Sequence, residues 1–177
     1  MRVLGIDPGS RVTGWGLVEA APRGARRIAG GAALPVGRDL AEKLGDLAAK
    51  VEGLLDEWQP SVVAVERAFV GRNASSALRL GEVRGALFAV AARRRIPVID
   101  YPPATVKVAV TGSGRAEKDA VARGVALILG GTHAPGDATD ALAVAICHLL
   151  HVRTAERLAP AVDPLRGART RLEVRRG

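Results

Sequence analysis

The chain has 177 residues, 48% of them hydrophobic, enough for one domain with a substantial core. It carries 26 basic against 18 acidic side chains, a net charge of +8 and a pI of about 10.9. No apolar run nears the ~18 residues of a membrane span, and a lone cysteine, Cys147, rules out a disulfide framework and suits a reducing cytoplasm.

The opening Met1-Arg2-Val3-Leu4-Gly5-Ile6-Asp7 reads as a charged strand rather than a signal peptide. Residues 2–7 form a short buried strand ending in an acid, and Pro8-Gly9 turns the chain. Two further strands, 12–19 and 26–34, make a meander with the first. Residues 39–57 carry Leu40, Leu44, Leu47, Val51, Leu54 and Leu55 at helical spacing, and Pro60 stops that helix. Ser61–Glu66 is a continuous apolar strand, suited to a sheet centre, and again ends in an acid.

Residues 73–95 predict a long helix. Leu80, Val83, Leu87 and Val90 form one stripe, and Ala74, Ala77, Leu78, Gly81, Gly85, Phe88 and Ala92 form a second face. A helix apolar on two faces is deeply buried or shared with a partner. A fifth strand at 97–101 precedes helices at 103–110, 117–129 and 137–151. Residues 156–177 hold six Arg, three acids and two Pro with no period, and are expected to form a basic, disordered tail. The expected architecture is α/β, a mixed five-stranded sheet with helices on both faces, in one domain spanning 1–155.

Lys43, Lys50, Lys107 and Lys118 are the only lysines, so arginine supplies 22 of the 26 basic residues. A guanidinium fork matches phosphate oxygens, and the charge favours a polyanionic partner. Ribosomal proteins, nucleases and membrane-surface proteins share this property, and genome composition produces the same arginine bias.

The acids are more informative. Asp7 and Glu66 each end an apolar strand, where sites of open α/β sheets gather. Asp137 and Asp140 lie three apart at the start of the last helix and share a face. Leu142, Ala145, Ile146 and Leu149 form the opposite stripe, expected to dock that helix on the sheet. Converging carboxylates repel and raise one another's pKa, and a divalent cation relieves this. Oxygen ligands favour Mg²⁺ or Mn²⁺, and two ions about 4 Å apart suit in-line phosphodiester hydrolysis. Each acid also has a structural alternative. Asp7 can open the Pro-Gly turn, Glu66 can be a solvated strand end, and Asp137 and Asp140 match a capping box.

Four blocks resemble one family. Gly5-Ile6-Asp7-Pro8-Gly9-Ser10-Arg11-Val12-Thr13-Gly14 is similar to the opening signature of RuvC, the bacterial Holliday junction resolvases. Glu66-Arg67-Ala68-Phe69-Val70-Gly71-Arg72-Asn73-Ala74 followed by Ser76-Ala77-Leu78-Arg79-Leu80-Gly81 resembles the second block. Ala116-Glu117-Lys118 and Asp137-Ala138-Thr139-Asp140-Ala141-Leu142-Ala143 resemble the later ones, so the likeness covers about residues 1–152.

The resemblance implies a ribonuclease H-like fold, a two-fold homodimer, and Mg²⁺- or Mn²⁺-dependent symmetric nicking of four-way DNA junctions with a sequence preference. It implies the RuvAB branch-migration complex as a partner, no membrane, and a cytoplasmic setting. Asp7, Glu66, Asp137 and Asp140 take the roles of catalytic metal ligands. Lys107 and Lys118 match lysines near the scissile phosphate, and Phe69 matches an aromatic that contacts bases at the crossover. Arg72, Asn73, Arg79 and Arg115 are the remaining expected DNA contacts. Trp15 replaces a tyrosine, and arginine replaces lysine at positions 72 and 79, which keeps charge but alters hydrogen-bond geometry.

Taken without the family, Lys107 and Lys118 read as exposed helix lysines. Phe69 sits in a polar stretch with little core to join, so stacking on an unpaired base suits it. Gly112-Ser113-Gly114 is a poor phosphate-loop signal. His133, His148 and His151 show no metal spacing, and Cys147 reads as a small core residue. The competing functional readings are an actin-like nucleotide phosphotransferase, a non-catalytic nucleic-acid-binding module, and a same-fold nuclease with another substrate.

Overall fold

The computed structural model describes residues 1–22, 24–67, 74–131 and 136–158. Phe69, Arg72, Asn73, His133 and the tail from 159 onward lie outside them. The elements run β1 (Arg2–Asp7), β2 (Thr13–Ala21), β3 (Gly24–Ala33), α1 (Leu40–Trp58), β4 (Val62–Glu66), α2 (Ala74–Arg93), β5 (Val98–Tyr101), α3 (Pro103–Thr111), α4 (Lys118–Ile128) and α5 (Gly136–Leu158). Every expected element is present. The last helix runs seven residues past its expected end at 151, so residues 156–158 are helical rather than tail.

The sheet order is β3-β2-β1-β4-β5, with β1, β2 and β3 antiparallel and β1, β4 and β5 parallel. It is the mixed five-stranded sheet that the meander and the buried fourth strand imply.

Side chains of a strand alternate between faces. Val3, Val62 and Ala64 enter the core under α3, α4 and α5, whereas Leu4, Ile6, Val63 and Val65 enter the core under α1 and α2. Both faces are therefore covered, and the two parallel central strands are buried on both. On the second face, α1 begins at Asp39, whose side chain accepts from the Glu42 N–H at 2.8 Å, and buries Leu47, Val51 and Leu55. Gln59, left-handed at φ 45°, ends it before Pro60.

Helix α5 departs from the expected single stripe. From Ala138 to Leu149 every residue is buried except Asp140, because the helix lies between the sheet on one side and α3 and α4 on the other. A helix clothed all round has no solvated face to leave a period. The residues beneath it are glycines for a steric reason. A β-carbon on Gly5 would stand 2.0 Å from the Ala141 carbonyl oxygen, and one on Gly14 would stand 2.1 Å from that of Asp137. The helix backbone rests directly on β1 and β2.

A carboxylate cluster as candidate active site

Strand register and alternation bring the first two acids together. β1 and β4 pair in parallel up to Ile6 opposite Val65, so Asp7 and Glu66 follow side by side. Continuing the alternation from Val3 and Ala64 turns both toward α5. Their side chains share a hydrogen bond.

The glycine contacts bring the third. With Gly14 under the Asp137 backbone, the first turn of α5 is pinned over the strand ends, and Asp140, less than one turn on, faces the same cleft. Asp140 pairs with Lys118, the first residue of α4, at 3.1 Å. Lys107, half-buried on α3, completes the polar wall. Asp7, Glu66, Asp140, Lys107 and Lys118 together line one cleft of about 220 Å³, floored by apolar side chains.

Burial leaves this cluster short of compensating charge. Asp7 is pushed up to about 6, chiefly by burial and then by Asp140. Glu66 is pushed up to about 7, again by burial first and then by Asp7 and Asp140. The hydrogen bond between them lowers Asp7 and raises Glu66. Lys107 opposes the shift on Glu66 and Lys118 opposes that on Asp7, both more weakly. Asp140 in turn raises Lys118.

Such a site favours a cation. A divalent ion stabilises the ionised acids, and an all-oxygen donor set fits a hard ion. The donors do not stand as a finished cage: among the described residues no three such ligands already surround a common point. Asp7 and Glu66 bond to each other, and Asp140 to Lys118.

The expected residues separate. Asp137 is exposed on the first turn of α5, does not line the cleft, and repels Asp7 more weakly than Asp140 does. Since α5 begins at Gly136, Asp137 already lies inside the helix, and the Asp140 carboxylate goes to Lys118; neither follows the capping-box alternative. Arg115 is exposed just before α4. Arg79 lines a different cleft, with Ser10, Arg11 and Lys43 between α1 and α2. Arg11 belongs to the opening signature block but had no role assigned to it, and Lys43 carried no motif. His148 is a buried structural residue whose Nδ1 lies 2.9 Å from the Tyr101 hydroxyl, and Cys147 is buried with its thiol pushed up to about 12.

The model of the family "Crossover junction endodeoxyribonuclease RuvC" matches residues 3–148. The RuvC of Paramagnetospirillum magneticum is 43% identical over 164 residues, covering 92% of this chain and 99% of that one. That of Acidiphilium cryptum is 45% identical over 162 residues, covering 90% and 97%. The solved Thermus thermophilus RuvC in complex with a Holliday junction substrate is 35% identical, with a TM-score of 0.81 over 88% of this chain and 96% of that one. The yeast mitochondrial Holliday junction resolvase, 15% identical with a TM-score of 0.61, shares the fold. With its ribonuclease H-like fold and its sequence matched nearly end to end, the chain belongs to the RuvC family of crossover junction endodeoxyribonucleases.

Proposed function

We propose that this protein resolves four-way DNA junctions by paired symmetric nicks, with Asp7, Glu66, Asp137 and Asp140 as its metal-binding acids. The observation that carries the reading is the meeting of Asp7, Glu66 and Asp140 at the strand ends in a cleft walled by Lys107 and Lys118. A non-catalytic binding module has no use for half-buried, mutually repelling acids beside an anionic ligand.

The acids would hold Mg²⁺ or Mn²⁺, two ions per site. When bound, the ions supply Lewis acidity, which lowers the pKa of water and neutralises charge on the phosphate. The protein does the rest. Asp7 and Glu66 lie adjacent by strand register, so their spacing is set by the sheet rather than by loops. The apolar floor excludes water beneath the cluster and strengthens every charge interaction there. Asp140 holds Lys118 at the rim, where the ammonium is exposed and available to a scissile phosphate; Lys107 presents a second ammonium from α3. Arg79 and Arg115, both exposed, suit backbone contacts further along the DNA. Phe69, Arg72 and Asn73 are proposed as crossover contacts on the same family grounds.

Two like-polarity nicks in a two-fold substrate call for a two-fold dimer. The outer face of α2 is available for it: Leu78 is 67% exposed, and Gly81 and Gly85 have open space where a β-carbon would project. The RuvAB complex as partner, a cytoplasmic setting and a DNA-binding role for the basic tail complete the reading. No helix among the described residues is long and apolar enough to cross a membrane.

The test is cleavage of a synthetic four-way junction against a linear duplex of the same sequence, with and without Mg²⁺. Symmetric nicks in the junction alone, and only with the ion, are expected. Equal cutting of both substrates would replace this reading with that of a general nuclease.

A further inference from the structure

Arg84 stands on α2, on the opposite face of the sheet from the carboxylates, yet it holds the backbone of one of them. Its side chain is only 12% exposed. One terminal nitrogen donates to the Glu66 carbonyl, and the other donates to Asp100 Oδ1 at 2.7 Å. The guanidinium lies over the Phe88 ring, 5.0 Å from its centroid, one helical turn further along. Asp100 is on β5, opposite Val65 in the β4–β5 register. A single planar group therefore ties together the ends of two strands.

The location matters because the ladder between β1 and β4 stops at Ile6–Val65, one residue short of Glu66. Beyond that point the β1 side of the strand no longer sets the Glu66 backbone, and Arg84 takes its carbonyl instead. The small cleft that Arg84 lines also contains Asp7, Glu66 and Arg67. The same peptide donates its Arg67 N–H to the Tyr101 carbonyl at 2.8 Å, so β5 holds it on one side and Arg84 on the other, and a swing of it would carry the carboxylate away from Asp7.

We infer that Arg84 is a positioning residue, which through its bridge from the Glu66 carbonyl to Asp100 fixes the Glu66 carboxylate beside Asp7 for cation binding and cleavage. The inference rests on the reading of Glu66 as a member of the working cluster. The fork geometry is essential to it: lysine keeps the charge but offers one compact head for two acceptors on different strands. The cost of loss falls on geometry more than on stability. Asp100 is 32% exposed and can be solvated when its partner is removed.

Arg84→Gln, Arg84→Lys and Glu66→Gln separate the possibilities. Three quantities would be measured: junction affinity with Ca²⁺ in place of Mg²⁺, the single-turnover cleavage rate, and the Mn²⁺ concentration at which Tm rises. For Arg84→Gln the affinity should stay within about twofold of wild type while the rate falls about 10- to 100-fold, the scale of a misplacement near 1 Å. Its Mn²⁺ midpoint should move to higher concentration, and Arg84→Lys should fall between it and wild type. Wild-type rate and midpoint in folded Arg84→Gln overturn the inference. If Arg84→Gln unfolds, Arg84→Lys decides alone: a shifted midpoint upholds the inference and an unshifted one overturns it. Should Glu66→Gln itself cut normally, the reading of the cluster fails; should it be dead while Arg84→Gln is normal, only the role of Arg84 fails.

Discussion

Two groups of charged side chains, on opposite faces of the sheet, follow opposite rules. Where α1 meets α2, Glu52 and Asp56 face Arg93 and Arg94, with separations of 2.8 Å for Arg93–Glu52 and 2.7 Å for Arg94–Asp56. Arg94 holds the Asp56 carboxyl below its usual range. At the strand ends, Asp7 and Glu66 are half-buried beside Asp140, and each is held well above its usual range. Paired, solvated charge glues two helices together at little cost and for little gain. Buried charge of one sign is a liability unless something bound compensates for it. The contrast separates structural from functional charge more sharply than a count of acids does.

The contrast breaks most severely at Asp7. Asp7→Asn should lower cleavage by about a hundredfold or more, because several kcal/mol of metal-borne charge stabilisation is removed. The same change should raise Tm in chelator, since it removes repulsion. Asp56→Asn should do neither: cleavage stays normal and Tm dips slightly. Single-turnover kinetics and thermal melts of both variants decide the matter. A Tm that falls in Asp7→Asn would mean the cluster is not under-compensated.

Packing comes next. Gly14→Ala forces a β-carbon against the Asp137 carbonyl, so α5 must lift, at a cost of about 1–3 kcal/mol. Cleavage should fall by more than the loss of folded protein explains. Gly53→Ala on α1, with open space around it, should leave cleavage unchanged and raise stability by about 0.5–1 kcal/mol through helix propensity.

The pH dependence has a definite sign. Asp7 and Glu66 keep their protons to higher pH folded than unfolded, from 3.8 to about 6 and from 4.5 to about 7. The unfolded chain therefore releases them first. Their contribution is fully present below about pH 4 and is lost as pH rises through 7, on the order of a few kcal/mol together. Denaturant melts in chelator should show stability falling across that window, and Mg²⁺ should restore it at pH 7.5. Asp56, with its pKa lowered, contributes in the opposite direction. A flat profile in chelator would remove the electrostatic argument for a cation.

The smallest effect on the monomer belongs to the outer face of α2. Gly81→Leu or Gly85→Leu meets nothing within the subunit and should leave the monomer folded, stabilised by up to about 1 kcal/mol through helix propensity. Against a close-packed partner helix it should weaken association by about 1–3 kcal/mol per clash. Sedimentation of these variants tests the interface, and fully dimeric variants would exclude this face.

Much of the fold was legible because it is local. The strand ending in Asp7, the strand ending in Glu66 and the helix periods are properties of short windows. The second apolar face of α2 was legible too, although the subunit leaves it open. The motif blocks tied the four acids to one family across most of the chain.

What the tertiary structure alone decided is non-local. That α5 is clothed on all sides follows from three helices stacking on one face of the sheet, and no window of sequence contains that. Its extra length follows similarly: Arg153 donates to the Ala21 carbonyl, 132 residues away in sequence, and ties the late turns to β2. Lys107 and Lys118 read locally as exposed helix lysines and become cleft walls only because α3 and α4 flank α5. Arg84 carried no signal, since its partners Glu66 and Asp100 lie 18 and 16 residues away on separate strands. Periodicity reports which face of an element is apolar, but which charges end up without partners depends on how the elements are brought together.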